Sequence, residues 1–477
     1  MTTLTLGLAF NRAVVLMEQA IDVTVTLKNT GTAVAVVHSP DDPSEFEFIV
    51  RPERAPSAAR VLSARRSDLA RSGDPIPKLP VDMASLLPGQ ELSYPEDLAQ
   101  YAVPQLEPGR YAVAVAYRLG NDRFVSSEIA LEVTVPQVRA MAVAVAPVEQ
   151  RLTTVFVAQA AKDVSTLLQR ESNPQDPVDG VAYARRNLRA PVSAVATAVE
   201  LQRHQGGRWY AWLEQDALGG GVAQFKSAFA AHDPVPLGLQ HTVLHPVGWQ
   251  AAADRFTALA LGTAPGGGVA IAIADMFYKQ PANIQLQALA VKTIPGFWRA
   301  NFGDNRFEMV YAEQGNNAAR IFRQSIVKGA DSASDPKPLF EYSGTVLALA
   351  LNPLRLNNES VADILFRSTT PATIELVRLR VNDGAVISRW VLAVPRDDRG
   401  QFPDAWALAA TALPNPAILT KLGDRLLERR VDGNGVWTPL ATDSTAAGNL
   451  HLVVISDRDT WAVWSDPARG IQYRRVP

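Results

Sequence analysis

Short apolar runs recur through the last two thirds of the chain at intervals of roughly 50 residues. Each run alternates or clusters apolar residues over a strand length and is followed by a turn and a second apolar run. The seven runs start at Thr153, Trp209, Phe256, Phe307, Ala362, Ala417 and Thr460. A period in this range, built from strands and turns, is typical of a β-propeller. We therefore predict a seven-bladed β-propeller over residues 138–477, without a long helix.

The third repeat shows the four strands that a blade requires. TVLHPVGW, FTALALGT, VAIAIADM and IQLQALAV follow one another in order. Neighbouring repeats also share a triple-glycine turn, at 217–225 and at 264–272. MAVAVAP (141–147) is the predicted first strand of the ring and NLHLVVISD (449–457) opens the last blade. GIQYRRVP ends that blade as its third strand, so its fourth strand is either missing or supplied by the N-terminal segment.

Residues 1–137 have a different pattern, with apolar and polar residues alternating on both sides of an Asn-Thr-Gly turn. About seven such strands in this span predict an antiparallel Ig-like β-sandwich. The segment resembles bacterial Ig-like modules through an L-x-P-G-x-Y-x-V strand, here Leu106, Pro108, Gly109, Tyr111 and Val113. That resemblance implies a fold and no activity. Since all 9 tryptophans lie at or beyond Trp209, the composition also supports a boundary near residue 137.

A basic insertion interrupts the predicted sandwich at residues 51–78, with seven basic and three acidic side chains. It is either a solvated excursion that covers a sheet edge or a docking surface for an acidic partner. We expect it to be exposed and outside the core, because its few apolar residues are interspersed with arginine. Its candidate partner-binding residues are Arg60, Arg65, Arg66 and Arg71.

Composition narrows the classes of partner. A net charge of −2 implies neither nucleic acid nor an anionic membrane. The absence of cysteine excludes disulfides, thiol catalysis and thiolate metal sites. No apolar run is long enough for a membrane-spanning helix. The first residues also lack the basic region followed by an apolar region that a secretory signal peptide has. We expect a cytoplasmic protein, or one exported without a standard signal, and the Ala, Val and Arg usage is that of a bacterial chain.

Metal and phosphate sites are not expected. The triple glycines precede strands and not helices, so they are hairpin turns rather than phosphate loops. His241 and His245 share one side of a predicted inner strand about 13 Å apart, too far to bind one metal ion. Asp41, Asp42, Glu45 and Glu47 form a polar turn before a strand, without the spacing of a calcium loop. We therefore predict no cofactor and no metal.

The tryptophans recur about once per repeat and suit the wedge between blades. Lectin propellers also present one aromatic residue per blade to a sugar, so the candidate sugar-face residues are Trp249, Trp298 and Trp437. Residues 432–437 resemble the turn motif of sialidase blades, but Asn434 stands at the glycine position. The signatures of WD40 and kelch repeats are absent.

No nucleophile, acid–base pair or other catalytic constellation stands out by spacing. Our leading interpretation is a non-enzymatic binding or scaffold protein that uses a rigid propeller disc as a protein-interaction surface. A carbohydrate-binding propeller is the first alternative. A glycoside hydrolase or lyase, with carboxylates dispersed over the blade loops, is the second.

Overall fold

A computed structural model describes most of the chain as β-strand. The described residues are 3–17, 19–38, 46–63, 83–101, 106–146, 151–161, 164–173, 176–188, 192–199, 208–215, 221–227, 235–236, 238–244, 255–277, 283–302, 306–351, 360–369, 373–409, 416–431, 436–441, 448–456 and 459–476. Their helical elements are a 3-10 turn at Pro56–Ala58 and one α-helical turn at Leu98–Tyr101. None of the helices among these residues is long and apolar enough to cross a membrane.

The chain divides into two compact units. The first comprises Met1–Pro136 together with Gly180–Ala184, and the second comprises Gln137–Asp179 and Arg185–Pro477. Residues 180–184 belong to a strand, Asp176–Leu188, whose other residues lie in the second unit.

The first unit is built from eleven described strands in three sheets. These are β1 (Leu4–Phe10), β2 (Val14–Leu16), β3 (Asp22–Asn29), β4 (Ala35–His38), β5 (Phe46–Pro52), β6 (Arg60–Ser63), β7 (Met83–Leu86), β8 (Glu91–Asp97), β9 (Gly109–Leu119), β10 (Asp122–Val125) and β11 (Ile129–Thr134). The sheets run β1-β3-β8, β2-β11-β9-β5-β6 with β10 beside β9, and β4-β7. Alternate residues of β3, β5 and β9 face one apolar core that includes Val25, Phe48 and Val115, as the alternating pattern predicts.

The contacts of Tyr111 account for part of the L-x-P-G-x-Y-x-V motif. Its ring is buried against the core, and its hydroxyl donates a hydrogen bond to the Glu107 carbonyl at 2.6 Å. This bond holds the turn at residues 107–109 against the start of β9. This contact accounts for the motif, whereas the Ig-like class of the sandwich stays a prediction.

The expectation that the whole 51–78 stretch lies outside the core is wrong for its first part. Strand β6 pairs antiparallel with β5, with Val50 opposite Arg60 and Phe48 opposite Leu62. The Leu62 side chain is only 5% exposed and belongs to the core. Backbone pairing with an existing sheet edge therefore outweighs the basic composition here. Residues 64–82 lie outside the described part of the chain.

The second unit consists, in its described residues, of seven antiparallel sheets that follow one another along the chain. Sheets 1 to 3 contain β12 (Gln137–Ala146), β13 (Arg151–Ala161), β14 (Val164–Asn173) and β15 (Asp176–Leu188); β16 (Val192–Val199), β17 (Arg208–Gln215), β18 (Gly221–Ser227) and β19 (Val235–Pro236); and β20 (Gln240–Leu244), β21 (Arg255–Thr263), β22 (Val269–Phe277) and β23 (Asn283–Ala288). Sheets 4 and 5 contain β24 (Phe297–Phe302), β25 (Arg306–Gln314), β26 (Ala319–Val327) and β27 (Lys337–Tyr342); and β28 (Gly344–Leu351), β29 (Val361–Ser368), β30 (Thr373–Arg380) and β31 (Val386–Ala393). Sheets 6 and 7 contain β32 (Ala405–Leu408), β33 (Ala417–Leu422), β34 (Arg425–Arg430) and β35 (Thr438–Ala441); and β36 (Gly448–Ser456), β37 (Asp459–Asp466) and β38 (Gly470–Val476).

Each of the seven apolar runs falls in the second strand of a sheet, which confirms the predicted repeat. These second strands read as continuous apolar runs because both of their faces are buried. In β29, for example, six consecutive residues from Val361 to Phe366 are buried. The last sheet has three described strands and ends on β38, as the sequence predicts.

Consecutive sheets of this unit pack face to face. Shared apolar clusters join sheets 3 and 4, 4 and 5, 5 and 6, and 6 and 7. The first strands are inner strands that contact one another from β12 to β16 to β20 and from β24 through β28 and β32 to β36, and β36 returns to β12. A ring of radially stacked four-stranded sheets is the β-propeller architecture.

The last and first sheets are joined by polar contacts. His451 of β36 hydrogen-bonds to the Met141 carbonyl of β12 at 3.0 Å. The Tyr473 hydroxyl of β38 donates to Thr154 Oγ1 of β13 at 2.9 Å, and the guanidinium of the buried Arg170 lies 4.5 Å from the centroid of the Tyr473 ring. These contacts close the ring between its two ends in sequence.

Candidate functional site

The structure describes three of the seven residues that the sequence singled out. Arg60 lies on β6 with a half-buried side chain, at the edge of its sheet. Arg65, Arg66, Arg71 and Trp249 lie outside the described residues.

Of the two described candidate tryptophans, Trp298 is buried and Trp437 is half-buried. Trp298 is fully buried among residues of the third and fourth sheets, so it fills the interior. Trp437 packs edge-on to Trp406, with ring centroids 6.0 Å apart, and its indole N–H donates to the Ala393 carbonyl at 2.8 Å. Both occupy the wedge position between sheets, and neither enters the function proposed below.

The candidate metal ligands are not brought together in the described part of the chain, which contains no group of three His, Asp or Glu side chains able to hold an ion. His38 instead contacts the Tyr117 hydroxyl through Nδ1 at 2.9 Å. Glu47 forms ion pairs with Arg118 and Arg123 on the strands β9 and β10. The side chains of His241 and His245, and residues 41, 42 and 45, lie outside the described residues.

Strand β31, the outer strand of the fifth sheet, exposes three large apolar side chains. Val386 is 48% exposed, Ile387 39% and Val391 62%. Among the other outer strands of the second unit whose side chains the structure describes, β23 exposes one such side chain, Leu286 at 36%. Exposed apolar side chains along a strand without a neighbour on one side are a template for pairing with another chain.

The backbone of β31 also has polar groups directed away from its sheet. The Ala393 carbonyl accepts a hydrogen bond from Trp437 of the sixth sheet, so it points outward from β30. Because the direction of backbone groups alternates along an antiparallel strand, Val391 and Arg389 turn their amide and carbonyl groups to the same outward side. An added strand would find donors and acceptors there.

The turn before β31 holds this strand in register. Gly384 adopts a φ of +76°, and a Cβ at this position would lie 2.3 Å from the Leu339 oxygen of β27. Arg323 of β26 donates to the carbonyls of Val381 and Asn382, at 3.3 and 3.0 Å. The turn is thus fixed on the fourth sheet, and β31 starts from a rigid base.

A cationic cluster lies beyond the other end of β31. The guanidinium carbons of Arg367 and Arg396 lie 4.2 and 4.7 Å from the centroid of the Phe402 ring, and both arginine side chains are exposed. Asp397 organises the loop by accepting backbone N–H bonds from Arg399 and Gln401. We call Arg367, Arg396 and Phe402 the arginine–phenylalanine cluster; cation–π contacts of this kind hold side chains in place at a surface.

Below the outer strands, a bidentate ion pair is buried inside the fifth sheet. Asp363 of β29 stands opposite Arg378 of β30, with Nε–Oδ1 and Nη2–Oδ2 distances of 2.7 Å. The side chains are 1% and 2% exposed. Burial raises the pKa of Asp363, and Arg378 opposes that rise. The pair ties the second strand to the third and has a structural role.

Two titratable side chains come from inner strands of the ring. Arg299 of β24 donates an Nη1–H to the Trp298 carbonyl at 2.7 Å, and His451 of β36 contacts the Met141 carbonyl. Both keep some solvent exposure, yet the surrounding strands desolvate them. Desolvation lowers the pKa of Arg299 to about 10. It also lowers the pKa of His451 to about 4, with the charge of Arg299 contributing and the bond to Met141 opposing.

Sequence reasoning missed these features for identifiable reasons. Val386 and Val391 belong to a strand whose sequence pattern does not differ from that of the other strands. The exposure of their side chains follows only from the position of β31 at the edge of its sheet. Arg299 and His451 are distant in sequence, and the charge of Arg299 contributes to the lowered pKa of His451. No local spacing signals either site.

Comparison with known proteins gives only distant similarities. No protein family and no curated protein matches the chain. Similar solved structures include a Synechocystis apocarotenoid oxygenase mutant (10% identity, 76% of this chain and 92% of that one, TM-score 0.36). Others are an α-L-arabinofuranosidase from Fusarium graminearum in complex with an iminosugar inhibitor (10%, 71% and 93%, 0.36) and a neuraminidase-like protein of subtype N10 from A/little yellow-shouldered bat/Guatemala/060/2010 (7%, 64% and 96%, 0.37). At these identities and scores the similarities carry no argument about activity.

Proposed function

We propose that this chain is a non-enzymatic protein-binding module, a seven-bladed β-propeller preceded by an Ig-like sandwich. The outer strand β31 of the fifth sheet receives an extended segment of a protein partner, which adds a strand to the sheet. The observation that carries the proposal is the coincidence on β31 of three exposed apolar side chains with outward-facing backbone groups.

Strand addition combines two sources of affinity. Main-chain hydrogen bonds to β31 supply binding that does not depend on the partner's sequence, and side chains supply selectivity. A partner segment with apolar residues at alternate positions would cover Val386 and Val391. At roughly 25 cal/mol per Å² of apolar surface, covering such side chains contributes on the order of 1–2 kcal/mol each.

Charge favours an acidic segment as the occupant. Arg389 lies on β31 itself with an exposed side chain and is paired with Glu375 of the neighbouring strand at 2.6 Å. The arginine–phenylalanine cluster adds two exposed guanidinium groups beyond Ala393, where the strand ends. Guanidinium groups bind carboxylates in a bidentate manner. The partner segment is therefore an apolar strand that carries Asp or Glu at the end that passes this cluster.

The basic segment of the first unit is retained as a second contact for an acidic protein surface, with Arg60, Arg65, Arg66 and Arg71 as its proposed residues. Replacing Arg65 and Arg66 by Glu should weaken that association and leave the melting temperature nearly unchanged, because surface substitutions change stability by about 0.5 kcal/mol or less. In this proposal the protein acts in the cytoplasm or after export without a standard signal, and it binds neither nucleic acid nor membrane.

The test uses a labelled synthetic peptide of alternating valine and glutamate, with fluorescence anisotropy as the readout. We expect saturable binding that weakens about tenfold in Val391→Asp, because the carboxylate repels the acidic peptide and removes apolar contact. The matched control is Val327→Asp, since Val327 is similarly exposed at 43% but ends a third strand.

A second peptide tests the mode of binding. N-methylation at alternate residues removes the main-chain donors and leaves the side chains in place, so strand addition predicts a loss of binding. Equal binding of the methylated peptide, or equal weakening by the two aspartate substitutions, would exclude β31 as the site.

A further inference from the structure

We propose that strand β1 of the first unit pairs with β1 of a second copy of this chain. The two strands run antiparallel about a twofold axis at Gly7, so that two three-stranded sheets join into one six-stranded sheet. This surface is separate from β31 and does not depend on the function proposed for that strand.

The backbone of β1 has donors and acceptors that face away from its own sheet. Among the described strands, β1 has a neighbour, β3, on one side only. Asn11 donates its N–H to the Asp22 carbonyl at 3.2 Å, and the Thr3 carbonyl accepts the N–H of Thr30 at 2.8 Å. Residues with odd numbers therefore direct their backbone groups towards β3, since the register between these two contacts is unbroken. Because this direction alternates along an antiparallel strand, the residues that direct theirs outward are Leu4, Leu6, Leu8 and Phe10.

The opposite edge of the same sheet, strand β8, is protected against pairing. The Asn29 N–H binds the Gln90 carbonyl, so the register of β3 and β8 makes Pro95 a residue that faces outward. A proline there offers no donor to an added strand, and the charged residues of β8 also disfavour pairing. Strand β1 has the sequence LTLGLAF, with no charge and no proline. Of the two long edges of this sheet, β1 is thus the one that can accept a strand.

The side chains of β1 favour a second copy as the occupant. Leu6, Leu8 and Phe10 pack against the apolar core but stay partly exposed, whereas Thr5, Gly7 and Ala9 are exposed on the other face. This alternation of apolar and small residues is the same from both ends of the strand, with Gly7 at its centre.

A twofold axis at Gly7 therefore brings like surfaces together. Leu6 lies opposite Leu8 of the second copy, and Leu4 lies opposite Phe10, so the apolar faces of the two sheets become continuous. The other face brings Thr5 opposite Ala9 and introduces no charge.

This register uses every outward-facing backbone group of β1. Four residue pairs each exchange two N–H···O bonds, about eight in total. The interface is isologous, so the assembly closes at two copies. An interface formed by one strand from each copy is small, and we expect a reversible dimer with a dissociation constant of about 1–100 μM.

The first test is sedimentation equilibrium of the full chain across that concentration range, where the mass should rise from that of one chain to that of two. Gly7→Lys should weaken the dimer at least about tenfold, because the axis places the two introduced ammonium groups directly opposite each other. A Cβ at Gly7 would lie 3.6 Å from Thr26 Cβ, an ordinary contact, so pairing with β3 is retained. The matched control is Ser93→Lys, since Ser93 is exposed on β8 and flanks Thr26 from the other side. This control should dimerise like the native protein.

The second test is disulfide cross-linking, which the absence of cysteine from the chain makes specific. Facing Cα atoms of a non-hydrogen-bonded pair lie about 4.5 Å apart, within reach of a disulfide. Oxidation should therefore link Gly7→Cys into a covalent dimer and leave Ser93→Cys monomeric under denaturing conditions. The cysteine pair decides the question if Gly7→Lys does not fold.

A native chain that stays monomeric across the range would overturn the proposal. So would a dimer that persists in folded Gly7→Lys, or one that Val391→Asp abolishes while Gly7→Lys does not, because the interface would then lie at β31.

Discussion

At the residue scale, the fifth sheet depends on a buried pair of opposite charges. Asp363 and Arg378 bind each other through two parallel bonds, and without the other each would lose the opposite charge that it contacts. Removing one partner of such a pair is far more costly than removing both, because the remaining charge has lost its compensation.

We therefore predict that Arg378→Met destabilises the protein by about 3–5 kcal/mol. The double variant Asp363→Leu with Arg378→Met should recover most of that loss, since an apolar pair replaces the ionic one. Urea denaturation of the single and double variants measures both effects. The exposed pair Arg320–Glu341, at 3.8 Å, supplies the control, and Arg320→Met should cost less than about 1 kcal/mol. A double variant as unstable as the single one would show that the pair is not the source of the effect.

His451 makes the closure of the ring sensitive to acid. Its pKa is about 4 in the folded protein, below the ordinary value of 6.5, so folding favours the neutral ring. The stabilisation is complete above pH 6.5 and is lost as the pH falls towards 4, by about 3 kcal/mol at most, from 1.36 kcal/mol per pH unit.

The measurement is the urea midpoint at pH values between 7 and 4.5, for the native protein and for His451→Gln. Glutamine keeps an N–H donor for the Met141 carbonyl and does not titrate, so its pH dependence should be shallower. The carboxylates titrate equally in both proteins and cancel in the comparison. Parallel curves would mean that His451 is not held neutral.

At the element scale, burial explains which strands the sequence could predict. The second strand of each sheet has neighbours on both sides and sheets on both faces, so it reads as a continuous apolar run, as in Val361–Phe366. Strand β6 was missed because it is only four residues long, with two apolar residues, Val61 and Leu62, between Arg60 and Ser63. It forms through pairing with β5 and contributes a single core residue, Leu62. Whether an edge strand forms depends on the strand beside it, and the local sequence carries no information about that neighbour.

The turn between β30 and β31 should be intolerant of a side chain. Gly384 has a positive φ, and its Cβ would collide with the backbone of Leu339, so both strain and overlap oppose Gly384→Ala. We expect a loss of at least about 2 kcal/mol in the free energy of unfolding, with weaker peptide binding at β31. Gly296→Ala is the control, because no atom lies within 4 Å of its Cβ position and stability should change by less than about 0.5 kcal/mol. Equal melting temperatures for the two variants would contradict the proposed docking of the turn.

At the scale of the whole second unit, the fold depends on joining its two ends in sequence. Six of the seven sheets have four described strands and the last has three. The repeat was predictable because each sheet is local in sequence. The contacts that close the ring were not, since they join residues more than 300 positions apart, such as Met141 to His451 and Thr154 to Tyr473.

Tyr473 is the side chain on which that closure should depend most. Its hydroxyl binds Thr154 and its ring covers the guanidinium of Arg170, which is only 1% exposed. Tyr473→Phe removes one neutral hydrogen bond and keeps the ring, so we expect a loss of about 1 kcal/mol. Tyr473→Ala also removes the aromatic face over Arg170 and should cost about 2–4 kcal/mol. Because the closing contacts hold sheets 1 and 7 together, hydrogen exchange of the alanine variant should accelerate first in β12, β13 and β36–β38, before the central sheets. Uniform acceleration across all seven sheets would show that the ring opens as one cooperative unit and has no weak seam at its closure.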